Sequence, residues 1–167
     1  GEKNINLLTV GGGSCRAIIQ TVSKLRRKYP EAKIKVINID TDPKVIELGR
    51  EIAKQHKVED RFQWVVNNAN NINAIITANS VDVAEMVGLL DYFREQKAIA
   101  VLSQIYNILK NDGLLIAANI HPNSEMRFVK NVGWPEMCYR TEADFTKVIR
   151  EAGFTRELKV IFEPLKV

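Results

Sequence analysis

A chain of 167 residues that is 46% hydrophobic, 26% charged and 7% aromatic has the make-up of one globular domain, and argues against two. Two cysteines, Cys15 and Cys138, are too few for a secreted disulfide framework or a structural zinc site, which points to a reduced, cytoplasmic protein. The net charge of +4 is small, and no apolar run approaches the ~20 residues of a membrane span.

The chain opens on Gly1-Glu2-Lys3-Asn4, without a methionine and without the apolar core of a signal peptide. With a strand starting four residues later, it reads as an excised piece whose natural N-terminal segment is missing. Residues 5–10 form a short apolar run that ends in Gly11, Gly12 and Gly13, and Ile18, Val22 and Leu25 then recur at helical spacing. The densest basic run, residues 24–28, falls at the end of that helix, where cations complement the helix dipole. The charge therefore gives a nucleic-acid partner little support.

Residues 33–40 read as a buried strand, and Pro43 opens a second helix with Val45, Leu48 and Ile52 inward. Residues 61–67 are a third strand, followed by a short apolar stretch at 72–78 and a fourth strand at 81–87. Ala98, Leu102, Ile105 and Leu109 mark a long helix that the spacing ends at Asn111-Asp112-Gly113, with a fifth strand over 114–120. Residues 121–140 lack a period and contain Pro122 and Pro135, so they form a long loop, and such loops tend to be functional. Thr141 caps a last helix with Phe145, Val148, Ile149 and Ala152 inward, Gly153 closes it, and residues 157–163 are a final strand. Strands alternating with helices argue for an α/β fold, a Rossmann-like doubly wound and mostly parallel sheet flanked by helices.

In such a sheet the ligand lies beyond the carboxyl ends of the strands, beside the first strand-to-helix turn. That turn is Val10-Gly11-Gly12-Gly13-Ser14-Cys15-Arg16. Glycines let backbone approach a ligand, and the helix start after them offers N–H donors. A dinucleotide fingerprint needs glycine where Arg16 stands, which disfavours NAD. Asp40, closing the second strand, is placed to accept from both ribose hydroxyls of an adenosine, or to cap the next helix; Asp42 reads as a cap. No Cys and His spacing fits a metal, and His56 reads as solvated. Cys15 at a helix start lacks a His or Asp beside it in sequence, which argues against a thiol nucleophile.

These residues together resemble the class I S-adenosylmethionine-dependent methyltransferases: the glycine turn, Asp40, Asn68-Ala69, residues 81–88, and Asn111-Asp112-Gly113-Leu114-Leu115. Gly13-Ser14-Cys15-Arg16, residues 88–93 and Trp134 with Tyr139-Arg140-Thr141 are similar to a bacterial subgroup linked to hydroxy-fatty-acid methyl ester signals. The resemblance implies a single S-adenosylmethionine-binding methyltransferase domain over 1–167, acting on a small-molecule carboxylate or hydroxyl and releasing S-adenosylhomocysteine. It puts the methionine part on Gly11, Gly12, Gly13 and Ser14, the ribose on Asp40 and Thr41, the adenine near Asn68 and Ala69, and Val87, Gly88 and Leu89 under the cofactor. Around the mouth it leaves Asp91, Tyr92, His121, Trp134, Tyr139 and Arg140. Asp91 is alternatively a helix cap, His121 a plain loop residue, Trp134 packing, and Tyr139 and Arg140 anchors of the last helix. Thr9 stands where an acid is common, Cys15 where a glycine is, and Asn68 where an aspartate is. Those departures keep open a degenerate, non-catalytic cofactor-binding or interaction module, and the same cofactor could serve aminocarboxypropyl transfer. Aromatic residues do not interleave with a basic patch, which counts against an RNA acceptor, and oligomeric state is not legible.

Overall fold

In the computed structural model, which describes residues 4–163, five parallel strands lie in the order β3-β2-β1-β4-β5. They are β1 (Asn4–Val10), β2 (Lys33–Asp40), β3 (Phe62–Val66), β4 (Val81–Met86) and β5 (Leu109–Ala117). The helices are α1 (Arg16–Lys28), α2 (Pro43–Gln55), α3 (Ile72–Ile75), α4 (Glu95–Ile108), α5 (Met126–Asn131) and α6 (Glu142–Glu151). This is the expected Rossmann-like doubly wound sheet.

Side chains alternate across each strand, and the two faces bury separate cores. Leu8, Val10, Ile39, Ala84 and Met86 face α3, α4 and α6, which supply Ile72, Leu102, Ile105 and Val148. Ile34 and Val36 face α1 and α2, which supply Ile19, Val22, Ile52 and Ala53. Each such aliphatic chain contributes roughly 1.5–3 kcal/mol when fully buried. The helix after β1 and the helix after β4 thus cover opposite faces although β1 and β4 are neighbours, and the order of winding reverses between them.

Local signals explain most element ends. Arg26, Arg27 and Lys28 fill the last turn of α1. Pro43 opens α2 behind Asp42, whose side chain accepts from Lys44 N–H at 2.8 Å. Thr141 and Asp144 form a reciprocal capping box on α6, and Gly153 past its end has φ +111°.

Three expectations are corrected. The inner face of α2 is Ile46, Gly49, Ile52 and Ala53, while Leu48 is 46% exposed. Gly49 turns inward because the Trp64 indole occupies the space there, with its Cζ3 2.6 Å from where a Cβ would stand; Trp64 stacks in turn on Phe62. Secondly, α4 ends at Ile108 and β5 starts at Leu109, so Asn111-Asp112-Gly113 lies inside a strand. Its extra residues bulge, since the pairing jumps from Val81↔Leu109 to Val83↔Leu114. Thirdly, residues 157–163 form no strand, and Val160, Ile161 and Phe162 are exposed. The sheet ends at β5, whose Leu114 and Ile116 are also exposed. Among the described residues no helix is long and apolar enough to cross a membrane.

Candidate functional site

All five strands point the same way, so their carboxyl ends share one edge of the sheet. The glycine turn, the turn after Asp40, the Asn67–Ala69 stretch after β3 and the loop after β4 all meet at this edge. The turn after β1 is shaped from beneath. Gly11 and Gly13 have φ of +69° and +55°, and the N-cap Cys15 has +57°, so the chain makes repeated left-handed steps. Gly11 N–H donates to Ile39 C=O at 2.8 Å, and Asn38 Nδ2 donates to Gly13 C=O at 3.0 Å.

Asp40 performs two tasks in the fold. One carboxylate oxygen accepts from Gly13 N–H at 2.8 Å and the other from Asp42 N–H at 3.0 Å, which joins the glycine turn to the turn after β2. The helix cap itself is Asp42. A carboxylate with one backbone partner on each oxygen keeps lone pairs for further donors. Thr41 is exposed beside it. After β3, Asn68 Oδ1 accepts from Asn70 N–H at 2.8 Å, and Ala69 is buried below. After β4, Gly88 has φ +78°, Val87 is exposed, and Leu89 packs on the glycine turn: a Cβ at Gly11 would meet its Cδ2 at 2.9 Å.

Sequence reasoning missed the row that supports the turn. Asn38, Thr9 and Glu85 are cross-strand partners on β2, β1 and β4, on one face. Thr9 Oγ1 donates to Glu85 Oε2 at 2.6 Å, so a carboxylate does lie beside position 9, contributed by another strand. A Cβ on Gly12 would stand 2.5 Å from both Asn38 Oδ1 and Thr9 Oγ1. Burial, then the Glu85 charge, pushes the Cys15 thiol up to about 12, opposed by its side-chain contact with the Thr9 hydroxyl. A protonated thiol is a poor nucleophile, in keeping with the sequence reading.

The mouth beside β4 and β5 differs from expectation. Arg140 is only 7% exposed, and its guanidinium turns inward: Nη1 donates to Leu90 C=O at 3.0 Å and to Asn119 Oδ1, and Nη2 donates to Phe93 C=O. The reading of Arg140 as a group around the mouth is replaced by an internal clamp, because its donors are spent on the Leu90 and Phe93 carbonyls and on Asn119 Oδ1. Asp91 is 4% exposed and does not cap α4; its Oδ1 accepts from Ile120 N–H at 2.7 Å. His121 is exposed, with Nδ1 2.9 Å from Pro122 C=O and its ring edge-on to Phe162. Tyr139 is half-buried, its hydroxyl 3.9 Å from Met137 Sδ. Trp134 is 56% exposed, and its indole N–H donates to the Tyr92 hydroxyl at 3.2 Å. Two described cavities, at Glu142–Lys147 of α6 and at the opposite strand edge near Asn6 and Lys35, do not adjoin these side chains. Among the described residues no group of three or more His, Cys, Asp or Glu is arranged to hold a metal ion.

A family model described as "Methyltransferase domain" matches residues 1–153. The chain belongs to this methyltransferase-domain family. No curated protein matches it. Solved structures share the fold at low identity. An O-methyltransferase family protein from Burkholderia thailandensis superposes with a TM-score of 0.71 at 16% identity, over 94% of this chain and 48% of that one. Geranyl diphosphate C-methyltransferase from Streptomyces coelicolor A3(2), solved with Mg2+, geranyl diphosphate and S-adenosyl-L-homocysteine, gives 0.68 at 12% identity over 91% and 54%. The [4+2]-cyclase SpnF gives 0.68 at 17% identity over 91% and 52%. The methyltransferase-domain chain thus spans about half the length of the structures it matches.

Proposed function

We propose that this chain binds S-adenosylmethionine along the ends of β1 to β4 and directs its methyl group to a small-molecule carboxylate or hydroxyl. The observation that carries this reading is the union of the glycine turn with Asp40 at the point where the winding reverses, in a member of the methyltransferase-domain family. The residues suit the cofactor's shape. Gly13 and Gly88 each open onto free space where a side chain would stand, both at positive φ, so the backbone on either side of the crevice can approach a ligand closely.

Gly11, Gly12, Gly13 and Ser14 would line the methionine part, Asp40 with Thr41 would accept from the ribose hydroxyls, and Asn68 with Ala69 would border the adenine. Val87, Gly88 and Leu89 would form the floor. When bound, the cofactor supplies an electrophilic methyl and a neutral thioether leaving group, so the protein mainly aligns the acceptor and excludes water. A carboxylate acceptor is already ionised at neutral pH and needs no base. His121 and Tyr139 stand closest in sequence to the mouth as aligning groups, while Asp91 and Arg140 shape its wall.

Calorimetric titration with S-adenosylhomocysteine and NAD tests the cofactor. The expected result is binding of the first and not the second, and tighter NAD binding overturns it. Asp40→Ala should weaken S-adenosylhomocysteine binding by at least tenfold, since hydrogen bonds to a charged group are worth about 1.5–3 kcal/mol each.

A further inference from the structure

We infer that Arg140 and Asp91 are positioning residues that hold the loop after β4 against the glycine turn; the inference rests on the cofactor reading above. Three chain segments distant in sequence meet here: 90–93 after β4, 119–121 after β5, and 138–140 before α6. Arg140 reaches the first through Leu90 C=O and Phe93 C=O and the second through Asn119 Oδ1. Asp91 returns from the first to the other two, taking Ile120 N–H on its carboxylate and Cys138 N–H, at 2.6 Å, on its backbone carbonyl. Arg140 N–H donates to Ile120 C=O at 3.1 Å, and Asn119 Nδ2 donates to Cys138 C=O at 2.8 Å. The ring of bonds is closed, so the three segments move as one body.

What that body controls follows from its neighbour. Leu89 immediately precedes the clamped turn, and its side chain lies against Gly11. Gly88, at φ +78° and with open space where a side chain would stand, joins β4 to the clamped turn. Leu89 packs on the core that includes Met86, and the two carbonyls held by Arg140, one on each side of Asp91, fix the turn that carries it. A guanidinium can span two carbonyls and an amide oxygen because its donors fan out in a plane, whereas an ammonium is a point donor. Both clamp groups are buried, so they act through the loop and not by touching the acceptor.

The test compares wild type with Arg140→Gln, Arg140→Lys and Asp91→Asn. Two readouts are taken from each folded variant: the Kd for S-adenosylhomocysteine and the hydrogen exchange of amides 89–93 relative to 11–13. Arg140→Gln should raise Kd at least tenfold and speed exchange in 89–93 while leaving 11–13 near wild type. Arg140→Lys should recover part of the affinity, and Asp91→Asn should lie between Lys and wild type. A purely structural anchor would lower the melting temperature without changing Kd in protein that is still folded. If Arg140→Gln does not fold, the Arg140→Lys and Asp91→Asn pair decides the question by the same two readouts. Wild-type protein that does not bind S-adenosylhomocysteine removes the cofactor reading and this inference with it. Wild-type affinity retained in the folded variants removes this inference alone.

Discussion

Around the glycine turn the supporting residues are neighbours in the sheet: Asn38, Thr9 and Glu85 stand side by side on adjacent strands, and Asp40 reaches Gly13 from the end of the next strand. The mouth above β4 and β5 is built from loop segments that lie outside the strands, and its hydrogen bonds join residues 19 to 50 positions apart, Asn119 to Cys138 and Arg140 to Leu90. One half is held by packing that the sheet already enforces, the other by buried polar groups whose loss the sheet cannot repair. Fold stability and site geometry are therefore coupled tightly in the first half and separably in the second.

The sharpest break of that contrast is Gly12→Ala, since the added methyl would collide with two buried side chains on different strands. It should cost about 1–3 kcal/mol in urea unfolding, as overpacking does, and lower cofactor affinity more than tenfold. Normal values for both would mean the turn yields more than its packing implies. Asp91→Ala strikes the other half: it leaves the Ile120 N–H without its charged acceptor and should cost about 1.5–3 kcal/mol, with amide exchange rising in 119–121 and not in the glycine turn. Exchange that rises evenly across both halves would erase the distinction.

The next effect depends on pH. The Cys15 thiol is held up at about 12 against an ordinary 9.0, so the folded state keeps a proton that the unfolded chain releases first. Stability from this site is complete below 9.0 and lost as the pH rises towards 12, about 1 kcal/mol of it by pH 10. Cys15→Ala should flatten the alkaline limb of a stability-against-pH curve, and an unaltered limb would place the cause elsewhere. Thr141→Ala removes the capping box at the root of α6 and should cost about 1 kcal/mol in the same unfolding assay. Smallest is Trp134→Phe, which removes a hydrogen bond between two exposed side chains and should shift stability by less than about 0.5 kcal/mol.

The same division decides how much the amino-acid sequence reveals. Glycine turns, Pro43 behind Asp42, and Thr141 as a cap are local signals, readable within a few residues, and the structure places them as expected. The inward face of α2 is not local: Gly49 is chosen by the bulk of Trp64 on β3, which no helical period announces, so Leu48 reads as core and is exposed. Asn111-Asp112-Gly113 has the composition of a helix stop, yet α4 has already ended and the strand pairing with β4 absorbs the three residues as a bulge. Residues 157–163 hold the apolar, β-favouring run Val160-Ile161-Phe162 but find no partner in the described sheet. Arg140 illustrates the limit for the site: its neighbourhood in sequence says nothing of Leu90, Phe93 or Asn119, and a solvent-facing, ligand-binding role is the natural reading of an arginine in a loop.

The two tryptophans fall on opposite sides of this division. Trp64 is half-buried against Gly49 and stacked on Phe62, behind the glycine turn, while Trp134 stands 56% exposed on the mouth loop with its N–H on Tyr92. Their light emission should accordingly divide, the more shielded indole at shorter wavelength and the hydrated one at longer. With either replaced by phenylalanine, the remaining indole gives each half its own optical signal, so that loosening of the mouth and melting of the sheet can be timed apart in a single cuvette.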